Sequence, residues 1–328
     1  MVGECPEGRR VRALVTGGAG FIGHHLVRAL VDRDAEVHVL DDLSTGEAAR
    51  LAPVRQRITF VEGSVLDAAA LDEAAAGCEV IFHLAAIPSV ARSILAPMPS
   101  NNVNAGGTIE TMLAAARAGV RRVVLAGSSS IYGGPDVLPC HEGLVPNPRS
   151  AYAASKLAAE GYLHAIGELN GIATVALRYF NVFGPGQDPA SEYAAVVPRF
   201  ITQALAGERP TINGTGDVTR DFTYVDNVVE ANLRAASAPL AGPLTCNIGC
   251  GDRRSLLDLV RAIAEATGRP IEPLFGPVRA GDVRDSQADI SRAREQLGYE
   301  VVVRFEEGIR RTVAWYRDAA TAAAATSA

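Results

Sequence analysis

Lysine is all but missing from this chain. Of its 328 residues and 31 basic side chains one is a lysine, Lys156, and the others are arginine. Arg serves wherever plain positive charge suffices, so a position that keeps Lys calls for a compact ammonium with three rotatable donors. A basic excess is missing too: the net charge of −6 offers no cationic field, and no nucleic-acid partner is expected. No apolar run approaches the roughly 18 residues of a membrane span, so no membrane partner is expected. The opening MVGECPEGRRVR lacks the apolar stretch of a signal peptide, and the expectation is a soluble cytoplasmic protein. Cys5, Cys78, Cys140, Cys246 and Cys250 show neither CxxC nor a His-partnered ligand spacing, which predicts reduced packing residues and no metal site.

What is present is an alternation. The chain is 48% apolar, and its length suits one large or two intimate domains. Short apolar strands at 11–16, 36–40, 59–61, 80–84, 122–126 and 174–178 are separated by helical patterns near 24–32, 68–76, 104–118 and 152–169. That order predicts an α/β fold, a Rossmann-type doubly wound parallel sheet. The turn-rich GPGQDP at 184–189 opens a different texture. A nucleotide-binding domain over 1–184 and a smaller C-terminal substrate-binding domain over 185–328 are expected, some strands of the second returning to the first. The alanine-rich stretch from 319 to 328 reads as a frayed tail.

The first strand ends in Gly17-Gly18-Ala19-Gly20-Phe21-Ile22-Gly23, with glycines at every third position. Such a turn lets backbone approach a pyrophosphate lying on the N-terminus of the next helix. Asp41, 18 residues after Gly23, closes the following strand, where a carboxylate can accept both hydroxyls of an adenine ribose. It would repel a 2′-phosphate, which favours NAD over NADP.

Tyr152 and Lys156 fall one turn apart on one helical face. A free phenol titrates near 10. An ammonium about 4 Å away would contribute roughly 4 kcal/mol at an effective dielectric near 20, about three pK units, enough to make the tyrosine a base for an alcohol. Ser128, in a serine-rich turn after the strand ending at Ala126, can hydrogen-bond the same alcohol.

Together VTGGAGFIG at 15–23, HLAA at 83–86, SSSIYG at 128–133, YAASK at 152–156, RYFNVFGPGQ at 178–187, RDFTYVDNV at 220–228 and GDVRDSQADIS at 281–291 resemble the extended short-chain dehydrogenase/reductase superfamily, and within it the nucleotide-sugar 4-epimerases. The resemblance implies that Gly17, Gly20, Phe21 and Ile22 hold the pyrophosphate, that Asp41, Asp42, Ser44, Thr45 and Gly46 surround the adenosine ribose, and that Leu84, Ala85 and Ala86 line the cofactor. It adds Ser64, Val65, Asn102, Tyr152, Lys156 and Tyr179 to the cofactor contacts. Ser64 stands where the family usually has an acid that reads the adenine, with Asp67 nearby. Ser128, Tyr152 and Lys156 are the implied catalytic trio. Asn181, Arg220 and Arg279 would hold the substrate diphosphate and Asp282 its ribose, with Ser89, Ser129, Ser130, Val197 and Ser286 around the substrate. A homodimer through a four-helix bundle, built from the helix near 104–118 and the one carrying Tyr152, is also implied.

The relatives share oxidation at sugar C4 and then diverge. Dehydratases follow the catalytic hydroxyl residue with an Asp-Glu pair and decarboxylases keep a Glu nearby, whereas this chain has Ser129 and Ser130. The resemblance therefore implies that the ketone is reduced back after the sugar turns over: 4-epimerisation of an NDP-hexose with NAD retained. The small Ser286 at the gatekeeper position suggests a pocket open to UDP-N-acetylglucosamine as well as UDP-glucose. UDP-glucuronate, with Arg92 as a carboxylate partner, stays open. So does another epimerase or 4-ketoreductase acting on a dTDP- or GDP-sugar, or a non-catalytic nucleotide sensor.

Overall fold

A computed structural model describes residues 10–88, 90–189, 195–277 and 284–326. In chain order its first half runs β1 (Arg12–Thr16), α1 (Phe21–Val31), β2 (Glu36–Asp41), β3 (Ile58–Glu62), α2 (Ala68–Ala75), β4 (Val80–His83), α3 (Val90–Leu95), α4 (Pro97–Asn101), α5 (Gly107–Ala118), β5 (Arg122–Ser128), α6 (Ala151–Asn170) and β6 (Ala173–Tyr179). Then follow β7 (Val182–Phe183), α7 (Val196–Leu205), β8 (Thr211–Asn213), β9 (Thr219–Arg220), β10 (Thr223–Tyr224), α8 (Val225–Ser237), β11 (Leu244–Ile248), β12 (Arg254–Ser255), α9 (Leu256–Thr267), β13 (Leu274–Gly276), α10 (Ser291–Leu297) and α11 (Phe305–Thr326).

Seven strands form one sheet in the order β11-β6-β5-β4-β1-β2-β3, every neighbouring pair parallel. Strands such as LVT and VIFH read as unbroken apolar runs because helices cover both faces. On one face α1 and α8 pack Leu26, Val27, Leu30 and Val228 onto Val15, Val39 and Val124. On the other, α2, α5 and α6 pack Leu71, Met112, Ala159 and Leu163 onto Leu14, Ile81 and Leu125. A third cluster joins Phe200, Phe222, Leu259, Phe305 and Ile309 outside the sheet, with Phe21 of α1 against it.

The strand order reverses between β1 and β4. The crevice at their carboxyl ends is where an open parallel sheet accepts a ligand. Three boundaries differ from the sequence reading. Helix α1 starts at Phe21, because extended Gly20 (ψ 177°) is its N-cap. Helix α5 starts at Gly107, after a π-turn over Asn102–Gly106. The alanine-rich tail does not fray at 319: it continues α11 to Thr326, alanine being the strongest helix former.

Candidate active site

The nucleotide end is built from backbone. Gly17 sits at φ 70°, and a Cβ there would lie 2.7 Å from Ala85 N; one at Gly23 would lie 2.1 Å from Gly17 O. Helix α1 has no side-chain cap on Gly20 and no acid in its first turn, which leaves its N–H groups and positive dipole end for an anion. Asp41 is buried at the end of β2. Its Oδ2 accepts the Ala19 N–H (2.8 Å) and its Oδ1 the Leu43 N–H (2.9 Å). Burial raises its pKa and those N–H groups oppose the rise. Each carboxylate oxygen keeps a lone pair for a ribose hydroxyl. Gly46 packs on that carboxylate: a Cβ there would stand 2.8 Å from Oδ1. Asp42 accepts the Ser44 N–H and hydroxyl at 3.0 and 2.6 Å, and Ser44 and Thr45 are exposed.

Leu84 to Ala86 leave β4 at the crevice, tied to β1 by Leu84 N–H to Thr16 O (3.1 Å) and Ala85 N–H to Thr16 Oγ1 (3.3 Å). Ser64 accepts the Leu66 N–H, and Val65 is buried beside Gly107. Asp67, the nearby acid, is committed elsewhere: it caps α2 through Ala69 and Ala70 N–H. Asn102 is exposed, because the π-turn directs the buried position to Asn104. The Tyr179 hydroxyl is paired with Asn232 on α8, across the sheet from α6.

At the reacting end β5 delivers Ser128 and α6 delivers Tyr152 and Lys156. Ser150 caps α6 by accepting the Ala153 N–H at 3.1 Å, which starts the helix one residue before Tyr152. Ser128 and Ser130 hydroxyls are 2.8 Å apart, and the Ser128 hydroxyl faces the Tyr152 phenol. The tyrosine differs from the sequence expectation. Burial pushes its pKa above 10, and it is the Ser128 hydroxyl that pulls it down. Lys156, 5% exposed, donates its Nζ to Ala126 O at 2.8 Å, and burial lowers its pKa to about 8.

Side chains that sequence reading missed hold this trio. Asn104 donates to Ser155 Oγ (3.0 Å) and accepts the Ile87 N–H (2.8 Å). Ser93 accepts the Tyr152 N–H at 3.0 Å. Buried Arg178 on β6 donates to both oxygens of Glu160 on α6 (3.0 and 2.5 Å) and to the Tyr132 hydroxyl (2.8 Å), which donates to Asn247 Oδ1 (2.6 Å). One guanidinium thus locks the catalytic helix to the turn that carries Ser128. RYFNVFG was the motif containing Arg178, but nothing in its spacing pointed to Glu160.

The substrate end gathers distant segments. Ser128 pairs with Tyr179 in the sheet register, so the catalytic turn and Asn181 leave at the same edge. Asn181, at φ 29°, donates to Asp221 O (3.1 Å) and Ser286 Oγ (3.2 Å). Arg220 Nη1 donates to Thr219 O and Arg284 O at 2.9 and 3.0 Å. Asn181, Val197 and Arg220 line one cavity of about 630 Å³, and its other walls include Arg199, Phe200, Thr211, Ile212, Asn213, Phe222 and Leu256. Of these added residues only Phe222 lies in a quoted motif, RDFTYVDNV, since a short strand such as Thr211–Asn213 has no motif of its own. Ser89, Arg279 and Asp282 lie outside the described residues. Among the described residues no three or more His, Cys, Asp or Glu are grouped to hold a metal, and no helix is long and apolar enough to cross a membrane.

Comparison with known proteins matches residues 13–249 to the model of the NAD dependent epimerase/dehydratase family. The UDP-glucose 4-epimerase of Mycolicibacterium smegmatis is 44% identical over 312 residues, covering 94% of this chain and 99% of that one. The UDP-glucose 4-epimerase of Thermotoga maritima, solved with UDP-glucose, aligns with a TM-score of 0.89 at 36% identity over 94% of this chain and all of that one (100%). A UDP-N-acetylglucosamine 4-epimerase from Methanobrevibacter ruminantium, solved with UDP-N-acetylmuramic acid, gives 0.90 at 35% identity over 95% of this chain and 99% of that one.

Proposed function

This chain belongs to the NAD-dependent epimerase/dehydratase family, and on that premise we propose that it is a UDP-hexose 4-epimerase accepting glucose and N-acetylglucosamine sugars. It is an NAD-dependent enzyme of the UDP-sugar epimerase and decarboxylase type. The finer reading rests on one observation: Ser128 facing Tyr152, with Lys156 buried one helical turn from that tyrosine, and a serine turn whose Ser129 and Ser130 bring no carboxylate.

The uncapped start of α1, Gly17 against Ala85, and Asp41 fit NAD, with the pyrophosphate on the helix and the ribose on the carboxylate. When bound, NAD supplies a hydride acceptor that can return the hydride, so no net oxidation is needed. The chain's own residues handle the proton. Tyr152 Oη takes it from the C4 hydroxyl and gives it back, Ser128 shares the hydrogen bond, and Lys156, protonated at neutral pH, stabilises the phenolate. Neutral Ser129 and Ser130 supply no acid or base for loss of water, which leaves return of the ketone on the other face. Arg220 and Arg279 would hold the diphosphate, the guanidinium forks matching phosphate oxygens, joined by Asn181 once its amide turns a donor from Ser286 to the ligand, with residues 185–328 supplying most of the substrate contacts. Ser286, bonded to Asn181, is a small residue at the gatekeeper position, which supports acceptance of an N-acetyl group. The outer faces of α5 and α6 expose Leu113 and Tyr162, which suits a homodimer through those helices.

The test is NMR on purified protein with no cofactor added, offering UDP-glucose, UDP-N-acetylglucosamine and UDP-glucuronate separately. Conversion of the first two to their galacto epimers, abolished by Lys156→Met, is expected; no conversion of any would overturn the reading. Turnover of the uronate alone would favour a second reading, supported by Arg92 adjoining Ser93, whose hydroxyl holds the Tyr152 N–H.

A further inference from the structure

Asp221 has no part in the chemistry above, yet it is a carboxylate with no exposure at all. Burying such a group without partners is costly. Its partners are three backbone N–H groups from two other segments. Oδ1 accepts from Cys250 (2.7 Å), and Oδ2 accepts from Gly251 and Ala288 (3.0 Å each). Burial raises its pKa to about 6, the three N–H groups oppose that rise, and the charge of Asp252 adds to it. The fit is close enough that a Cβ on Gly249 would stand 2.8 Å from Oδ2. The knot ties the chain between β9 and β10 to the loop after β11, at the edge of the sheet, and to the segment that follows residue 283.

Those segments carry the substrate wall. Arg220 precedes Asp221, and its guanidinium is gripped by two carbonyls, Thr219 O and Arg284 O, one in each of two segments that the knot joins. Asn181 donates to the backbone carbonyl of Asp221 itself and to Ser286, two residues before Ala288. Ser286 N–H closes the loop onto Thr219 O at 3.1 Å. The hydrogen bonds that Ser128, Tyr152 and Lys156 make to Ser130, Ser93 and Ala126 run to other parts of the fold.

We propose that Asp221 is a positioning residue of the nucleotide-sugar pocket, its carboxylate holding Arg220, Asn181 and Ser286 in register against the sheet edge so that they meet a diphosphate preorganised. This deepens the function proposed above and rests on it. Asparagine cannot replace the carboxylate, because one of its two ends is itself a donor and would face N–H groups.

The test uses the full-length protein with its cofactor as purified, reading UDP affinity by calorimetry beside kcat and KM for the UDP-hexose. Asp221→Asn is expected to weaken UDP and raise KM about tenfold or more, with kcat within about twofold of wild type and NAD content unchanged. Thr219→Val removes a milder tie between the same segments, the hydroxyl donated to Asp285 at 2.5 Å. It is expected to raise KM about threefold, and it decides alone if Asp221→Asn does not fold. Unchanged affinity in the folded variants would overturn the proposal, as would a fall in kcat matching the rise in KM. Wild-type protein that neither binds UDP nor converts a UDP-hexose would instead sink the functional reading and this inference with it.

Discussion

The two ends of the crevice are made in opposite ways. The nucleotide end is local and built from backbone: residues 16–24 and 41–46 supply a glycine turn, an uncapped helix start and a carboxylate held by two N–H groups. The proposed substrate end is assembled from side chains far apart in the chain: Asn181 bonds Ser286 across 105 residues and lines one cavity with Val197 and Arg220. The difference teaches what each end can tolerate. A backbone site fails when a single Cβ is added, whereas a side-chain site fails when the scaffold behind it loosens.

The reacting trio lies between these ends and gives the largest expected effect. Lys156→Met and Tyr152→Phe should each lower kcat by on the order of 10³ while NAD remains bound, checked by turnover and by the cofactor released on denaturation. Loss of NAD together with activity would mean that the trio belongs to the cofactor end rather than between the two.

Next is the scaffold behind the trio. Arg178→Met leaves Glu160 buried without its partner and should cost about 3–5 kcal/mol in urea unfolding. The double variant Arg178→Met/Glu160→Met should recover much of that. A single-variant loss under about 1 kcal/mol would mean that the pair behaves like a surface bridge.

Gly17→Ala sharpens the contrast at the nucleotide end. The left-handed φ and the Ala85 backbone 2.7 Å away predict that NAD retention falls on the order of tenfold, with Kd for UDP unchanged. Equal damage to both ligands would erase the distinction between the ends.

The most gradual effect is in pH. Burial lowers Lys156 from 10.5 to about 8, so between those values the unfolded chain holds more protons and stability rises with pH. Through that window the stability of the wild type should climb relative to Lys156→Met by at most about 1.4 kcal/mol per pH unit, read from urea midpoints. Because the chain has one lysine, no other lysine ammonium blurs the difference. A flat difference would place Lys156 in a more polar setting than its contact with Ala126 O implies.

Much of the fold was legible because a parallel sheet covered on both faces writes itself as apolar runs between amphipathic helices. The glycine turn and the Tyr152–Lys156 spacing were legible because both are short-range patterns. Asn104, Ser93 and Glu160 were not. Each acts on residues 17 or more positions away through a contact that no local period encodes. The partners of Tyr152 and Lys156 were hidden for the same reason: the helix spacing put the two close, while the end of β5 supplied Ser128 to the phenol and Ala126 O to the ammonium.

The sequence by itself determined the sheet and its helices, the nucleotide turn, and the identity of the one ammonium, since these depend on residue type and spacing within a turn or two. Only the tertiary structure decided which of two neighbouring asparagines is buried, that Asp67 caps a helix, that Arg178 locks α6, and that Asp221 ties the loop after β11 to the segment of Ala288. The physical reason is range. Propensity and periodicity act over a few residues, whereas a buried polar group finds its partner wherever the packed chain brings a donor, and the cost of leaving it unpaired fixes the choice.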